Sequence, residues 1–485
     1  MSRLVLLLIA LLLPSGLSAQ SAAPPSTDTL RIPRGVPVER VAAGTDTTLH
    51  YAVYVPTAPA AAHLPVLLVM DPRGRALLPL GLVRRAAERY GFLVLSSYDT
   101  LSDDPTALDR NTRALTAMLV DAQVRFGADP ARLYLVGFSG TAQFALAVAS
   151  QLDGHLAGIV GVGGGLRPSS SLVIPALRVA RPFAYMGIAG RTDFNYDGAR
   201  ELDRALDDTP LPHRFVVPDG PHAWPPEAVV YDAVEWLHLQ AVRAGLVPRD
   251  DRWVDSLRTA HLAEAQALDA AGRPVNAQRR YREVAADFEG LGGAPIATHR
   301  RDSLAADRRT RRAEARQNAL AERVAAYTVT VGTFAADYRR APDPPSHAAA
   351  LRQLEIERLR RMEGADDPDE SAAAQRMLAT VYAVVAFYEP RDHMERRDYA
   401  RAAGLLRLAV TLRPDDPFVC LDLARAEAQQ GHTPEALEAL TCAIDAGAAS
   451  RAALATDPLL APLYSDPAFD ALLARAPLTP PGQTP

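Results

Sequence analysis

From about Leu30 to Gly245 short apolar, β-branched runs alternate with segments whose apolar residues recur at helical spacing. This alternation predicts a mostly parallel sheet flanked by helices, because strands buried on both faces read as continuous apolar runs. Strands are expected over 50–55, 66–70, 92–96, 133–136, 156–162, 183–188 and 213–217. Between them, 111–126 carries Leu115, Met118, Leu119 and Ala122 on one helical face. Gly127, Asp129 and Pro130 should stop that helix before the next strand.

Beyond Gly245 the alternation gives way to long helices rich in Ala, Leu, Arg and Glu, so the sheet domain is expected to span 30–245. A linker is expected at Pro248, Arg249, Asp250 and Asp251, followed by helical regions over 246–340 and 341–476, divided by the proline-rich stretch 341–346, and a Pro-rich tail over 477–485. The arginines between Arg300 and Arg316 are interleaved with Asp302, Asp307 and Glu314, which reads as a solvated helix face. Ala402, Leu406 and Ala409 recur 34 residues on as Ala436, Leu440 and Ala443. With Ala424 at a further small position and Pro414 where a unit would close, this segment resembles a tetratricopeptide repeat. Gly272 and Ala277 stand at the same offset as Gly431 and Ala436. Such helices imply a possible protein partner and further packing on the sheet domain, since so few units do not make a freestanding solenoid.

The first nineteen residues read as a signal peptide: Arg3, an apolar run from Leu4 to Leu13, and a cleavage site after Ala19. A flexible leader over 20–29 follows, and an exported protein, periplasmic or secreted, is expected with no membrane span once the signal is removed. The net charge of -5 gives no basic surface on which to expect nucleic acid. Cys420 and Cys442 are the two cysteines. Export permits a single bridge between them, and two small buried thiols on neighbouring helices are the alternative.

The segment carrying most chemistry is Leu133-Tyr134-Leu135-Val136-Gly137-Phe138-Ser139-Gly140-Thr141, an apolar strand entering a Gly-Ser-Gly turn ahead of a small-residue helix. It resembles the nucleophile elbow of the α/β-hydrolase family, with Thr141 where the family pattern has a second glycine. Serine is a weak nucleophile without a base. His222, in Gly220-Pro221-His222-Ala223-Trp224-Pro225 after the last expected core strand, resembles the base segment of polyhydroxybutyrate-depolymerase-like and related esterases. The third member should follow the strand 183–188. Asp193 fits and Asp197 is the rival on the same loop, while Asp219 reads as a loop residue. Ser139, Asp193 and His222 then stand in the family's chain order. The resemblance also implies two backbone donors for a developing oxyanion, assigned to Gly140 and, on the Asp71-Pro72-Arg73-Gly74 segment, to Arg73, whose guanidinium could instead meet an acidic substrate.

No metal or cofactor site is expected. The glycines between Gly161 and Gly165 lack the spacing and acidic partner of a dinucleotide fingerprint and read as a turn near the sheet's carboxyl edge. The resemblance implies a serine hydrolase acting on a small-molecule or polymeric ester through an acyl-enzyme. A peptidase of the same fold and a non-catalytic scaffold binding through its helical repeats are the alternatives.

Overall fold

The computed structural model describes residues 32–57, 63–102, 107–152, 154–164 and 181–478. The expected signal peptide and leader, and all but the first two residues of the tail, lie outside them. The chain forms two compact units divided between Gln317 and Asn318.

Among the described residues the first unit has eight strands: β1 (Val38–Ala42), β2 (His50–Tyr54), β3 (Leu64–Met70), β4 (Leu93–Ser97), β5 (Ala128–Phe138), β6 (Leu156–Val162), β7 (Ala184–Ile188) and β8 (His213–Val216). Their order is β1-β2-β4-β3-β5-β6-β7-β8. β3 to β8 run parallel, and β2 joins antiparallel to both β1 and β4. This sheet with its flanking helices fits the α/β-hydrolase fold. Alternate residues of β3 enter opposite cores: Val66, Leu68 and Met70 on one face, Leu67 and Val69 on the other. Strand order reverses between β3 and β5, so the crevice at their carboxyl ends is where such a sheet places its ligands.

The helices of this unit are α1 (Leu77–Tyr90), α2 (Leu108–Val124), α3 (Gly140–Val148), α4 (Tyr196–Leu206), α5 (Glu227–Arg243), α6 (Asp251–Ala270), α7 (Pro274–Asp287) and α8 (Pro295–Ala306). On α2, Leu115, Met118, Leu119 and Ala122 are all buried. Two differences from the sequence reading have local causes. β1 was not expected, because its mixed Val-Glu-Arg-Val-Ala pattern belongs to a half-exposed edge strand. Asp129 and Pro130 lie in the first residues of β5 rather than ahead of it, at a register irregularity where proline's missing N–H is tolerated.

The sheet's core does not end at Gly245. Val254, Leu257, Tyr281, Val284 and Phe288 of and just beyond α6 and α7 join the same apolar cluster as Trp236 and Leu237 of α5. A buried carboxylate fastens them: Asp287 accepts from Trp236 Nε1 at 2.7 Å, Gln240 Nε2 at 2.8 Å and Arg214 Nε at 2.6 Å. Arg214 also reaches His261 Nδ1 at 3.2 Å. Burial, and then Arg214 and Arg280, push the His261 imidazole down to about 2, so it stays neutral and can accept. The change from alternating to helical pattern marks the end of the sheet, whereas the core continues to α8.

The second unit includes the carboxyl-terminal part of α9 (Arg308–Arg340) and the helices α10 (His347–Gln353), α11 (Ile356–Glu363), α12 (Pro368–Ala383), α13 (Glu389–Glu395), α14 (Tyr399–Leu412), α15 (Pro417–Gln429), α16 (Thr433–Asp445), α17 (Arg451–Ala455) and α18 (Pro467–Arg475). The recurring residues Ala402, Leu406, Ala409, Ala436, Leu440 and Ala443 are all fully buried. Cys420 of α15 and Cys442 of α16 are joined as a disulfide, the first of the two alternatives the sequence left open. Among the described residues no helix is long and apolar enough to cross a membrane.

Candidate active site

β5 delivers Ser139 to the crevice. Its φ of 53° and ψ of -124° place a non-glycine residue in a sparsely populated region, the strained turn that lifts a side chain clear of strand and helix. The neighbours have to be small: a Cβ on Gly137 would stand 2.5 Å from the Thr141 carbonyl oxygen, and one on Gly140 would stand 2.6 Å from Ser102 Oγ. Thr141, the departure from the family pattern, is fully buried and its hydroxyl is used. It accepts from the Phe138 N–H at 3.0 Å and faces the carbonyls of Phe138 at 2.8 Å and Met70 at 2.9 Å, joining the elbow to the end of β3.

His222 stands on the loop between β8 and α5. Its Nε2 is 3.0 Å from Ser139 Oγ, and its Nδ1 is 3.0 Å from both Asp193 carboxylate oxygens. A proton on Nδ1, held by the carboxylate, leaves the Nε2 lone pair to accept from the serine hydroxyl. The imidazole lies between two rings, Phe194 at 4.4 Å and Phe138 at 4.7 Å between centroids. Gly163 backs it: φ there is 58°, and a Cβ would stand 2.9 Å from His222 Cε1. Of the glycine stretch, Gly161 lies within β6, Gly163 and Gly164 lead out of the strand with Gly163 against the histidine, and Gly165 lies outside the described residues.

Asp193 is almost completely buried on the loop after β7. It also accepts from the Asn195 N–H at 2.8 Å, and Asn195 Nδ2 donates to the Gly163 carbonyl at 2.7 Å. The acid loop is bonded to the base loop through Arg191 N–H to Pro218 O at 2.9 Å and Thr192 N–H to Gly220 O at 3.1 Å. Asp193 is the carboxylate that meets His222, while Asp197 lies in the first turn of α4. Asp219 is an exposed loop residue facing Arg191 Nε at 3.3 Å.

Of the two expected oxyanion donors, Gly140 opens α3, where an N–H has no acceptor within its own helix. The Arg73 assignment needs correction. Its N–H donates to Asp71 Oδ1 at 2.9 Å, because the aspartate side chain folds back over its own loop. Asp71 itself, to which the sequence assigns no role, is fully buried. Burial pushes its carboxyl up, but hydrogen bonds from Arg75, Trp224 and Arg73 outweigh this and hold it below the ordinary carboxylate range. Among the described residues no group of His, Cys, Asp and Glu could hold a metal ion.

No family model matches the sequence, and no curated protein matches it. Solved structures similar to the chain include a hyperthermophilic esterase from the archaeon Pyrobaculum calidifontis, at 13% identity over 43% of this chain and 87% of that one, with a TM-score of 0.36. An S-formylglutathione hydrolase from Agrobacterium tumefaciens is 14% identical over 39% and 88%, with a TM-score of 0.32. A fluorophosphonate-binding serine hydrolase from Staphylococcus aureus is 12% identical over 42% and 97%, with a TM-score of 0.33.

Proposed function

We propose that the protein is an exported serine hydrolase that cleaves a carboxylic ester through Ser139, His222 and Asp193. One observation carries the reading: a serine in a strained strand-to-helix turn, 3.0 Å from an imidazole whose other nitrogen is 3.0 Å from a buried carboxylate. Ser139 Oγ attacks the ester carbonyl carbon as its proton passes to His222 Nε2. Asp193 stabilises the imidazolium and keeps its orientation. The Gly140 N–H donates to the developing oxyanion. Nε2 then gives the proton to the departing alkoxide, leaving an acyl-serine. A water then gives a proton to the same nitrogen as its oxygen attacks the acyl carbon, and collapse of that intermediate expels Ser139 Oγ, which takes the proton back from Nε2 as the acid is released.

The helices of the second unit are proposed as tetratricopeptide-like elements that hold a protein partner, and export as following cleavage after Ala19. Amino-terminal sequencing of the exported protein should begin at Gln20. The engagement of Arg73 N–H by Asp71 favours, as a second reading, a scaffold without turnover. Labelling of the mature protein with a fluorophosphonate probe decides between them. Reaction that is lost in Ser139→Ala and His222→Ala supports the hydrolase, and comparison of simple esters with peptide amides then identifies the bond cleaved. A folded parent that does not react supports the scaffold.

A further inference from the structure

Asp71 leaves the carboxyl end of β3 with no exposed surface, and a carboxylate so placed needs several donors to offset its lost hydration. Four are local: Arg73 N–H at 2.9 Å, Arg75 N–H at 3.4 Å, Arg75 Nε at 3.0 Å and Arg75 Nη2 at 2.8 Å. They fold the loop after β3 around the carboxylate. A fifth comes from 153 residues away, where Trp224 Nε1 donates to Oδ2 at 2.8 Å. Trp224 is two residues beyond His222. Its ring stands 5.5 Å from that of Phe138, which in turn stands 4.7 Å from the imidazole.

We infer that Asp71 is a positioning residue for His222, acting through the Trp224 indole to fix the base loop and the ring stack against which the imidazole stands. The inference rests on the triad proposed above. The carboxylate has Arg75 and the Arg73 amide close at hand, so its own burial does not require the indole. The indole bond instead ties the loop after β3 to the loop that carries the base. The imidazole must keep Nε2 in line with Ser139 Oγ while it gains and loses a proton, and a misplacement of about 1 Å at such a centre costs on the order of 100-fold in rate.

The test uses the mature full-length protein and a fluorophosphonate probe. Trp224→Phe keeps a ring against Phe138 and removes only the N–H donor. It should lower the maximal labelling rate by roughly 10-fold or more, within the range that such misplacement spans, with the half-saturating probe concentration unchanged. Asp71→Asn should do the same, and the double variant should be no slower than the slower single one, as for two groups acting through one bond. Parental labelling by a folded Trp224→Phe protein, or losses that multiply in the double variant, overturns the inference. A second readout is independent of activity: hydrogen exchange of the Trp224 indole N–H, followed by NMR. Protection in the parent that is lost in Asp71→Asn supports the link, and equal exchange in both overturns it. An unreactive parent would refute the triad, while the exchange measurement still decides whether Asp71 holds the base loop.

Discussion

Replacing Asp193 by Asn should all but abolish labelling of Ser139, for a reason that can be read from three hydrogen bonds. The Asn195 N–H donates to Oδ1 at 2.8 Å, so an asparagine would keep its carbonyl oxygen there and place its NH2 at the Oδ2 position, 3.0 Å from His222 Nδ1. The carbonyl oxygen left at Oδ1 is also 3.0 Å from Nδ1, so the amide offers Nδ1 an acceptor and a donor at equal distance and no longer holds the proton there; where the NH2 donates, Nδ1 is the acceptor and the proton sits on Nε2, which then cannot take the serine proton. The negative charge that stabilises the imidazolium is lost in the same change. Loss of both functions in a Ser-His-Asp site is worth about 10⁴-fold, or about 5.5 kcal/mol of transition-state stabilisation. The assay is the rate of fluorophosphonate labelling across pH, with thermal melting to establish that the variant is folded. Asp197→Asn is the matched control and should label at the parental rate, losing at most about 1 kcal/mol of stability through the weakened charge at the start of α4. Parental labelling by Asp193→Asn, or a larger loss in Asp197→Asn, would refute the assignment.

Thr141→Val keeps the shape of the side chain but leaves the buried Phe138 N–H without its acceptor, so it should cost about 1–3 kcal/mol of stability and slow labelling; an unchanged melting temperature would show that the hydroxyl is dispensable. Reduction of the Cys420–Cys442 bond, which spans 22 residues, should release about 3 kcal/mol of loop entropy to the unfolded second unit, seen as a lower melting temperature with dithiothreitol and the same fall in a Cys420→Ala, Cys442→Ala protein without it. His261 is neutral when folded, at about 2, and takes up a proton near 6.5 once unfolded. Its folded value is depressed, so the unfolded chain binds more protons below pH 6.5 and stability falls as pH drops, by about 2 kcal/mol between pH 6.5 and 5. His261→Gln should flatten that part of the stability profile, and an equal acid loss in both proteins would exclude His261 as its source.

The elements that were legible from sequence are those with a strong local cause. Seven strands and the apolar face of α2 follow from hydrophobic period, and the placing of Ser139, His222 and an acidic loop after successive strand ends from the resemblance of their segments to the hydrolase pattern. β1 was not legible because an edge strand needs no continuous apolar run. The reach of the first unit past Gly245 was not legible because Asp287, Arg214 and Gln240 are ordinary polar residues in sequence, and only their meeting shows that α5 to α7 are joined. The choice of Asp193 over Asp197 depends on which carboxylate the loop turns toward the imidazole, a matter of a few ångströms. Trp224 lay within the segment that identified His222, yet its partner is 153 residues distant, and no local pattern points to it.

Thr141 and the Asp71 to Gly74 segment, far apart in the sequence, meet at the same point. Thr141 Oγ1 faces the carbonyl of Met70, the last residue of β3, and Asp71 is the next residue along the chain. Thr141 joins the end of β3 to the elbow that carries Ser139, and Asp71 joins it to the loop that carries His222. A glycine at 141 would remove the first connection and add backbone freedom, and a loop without Asp71 would remove the second. The strained φ of Ser139 has to be maintained by its surroundings, and in this chain the end of β3 is the common anchor of both site loops. The Thr141→Val and Trp224→Phe effects should therefore be coupled, with a double variant that departs from the product of the two singles by more than about 0.5 kcal/mol in labelling. Independent effects would mean that the two connections stabilise separate parts of the sheet edge, with no shared control of the distance between Ser139 and His222.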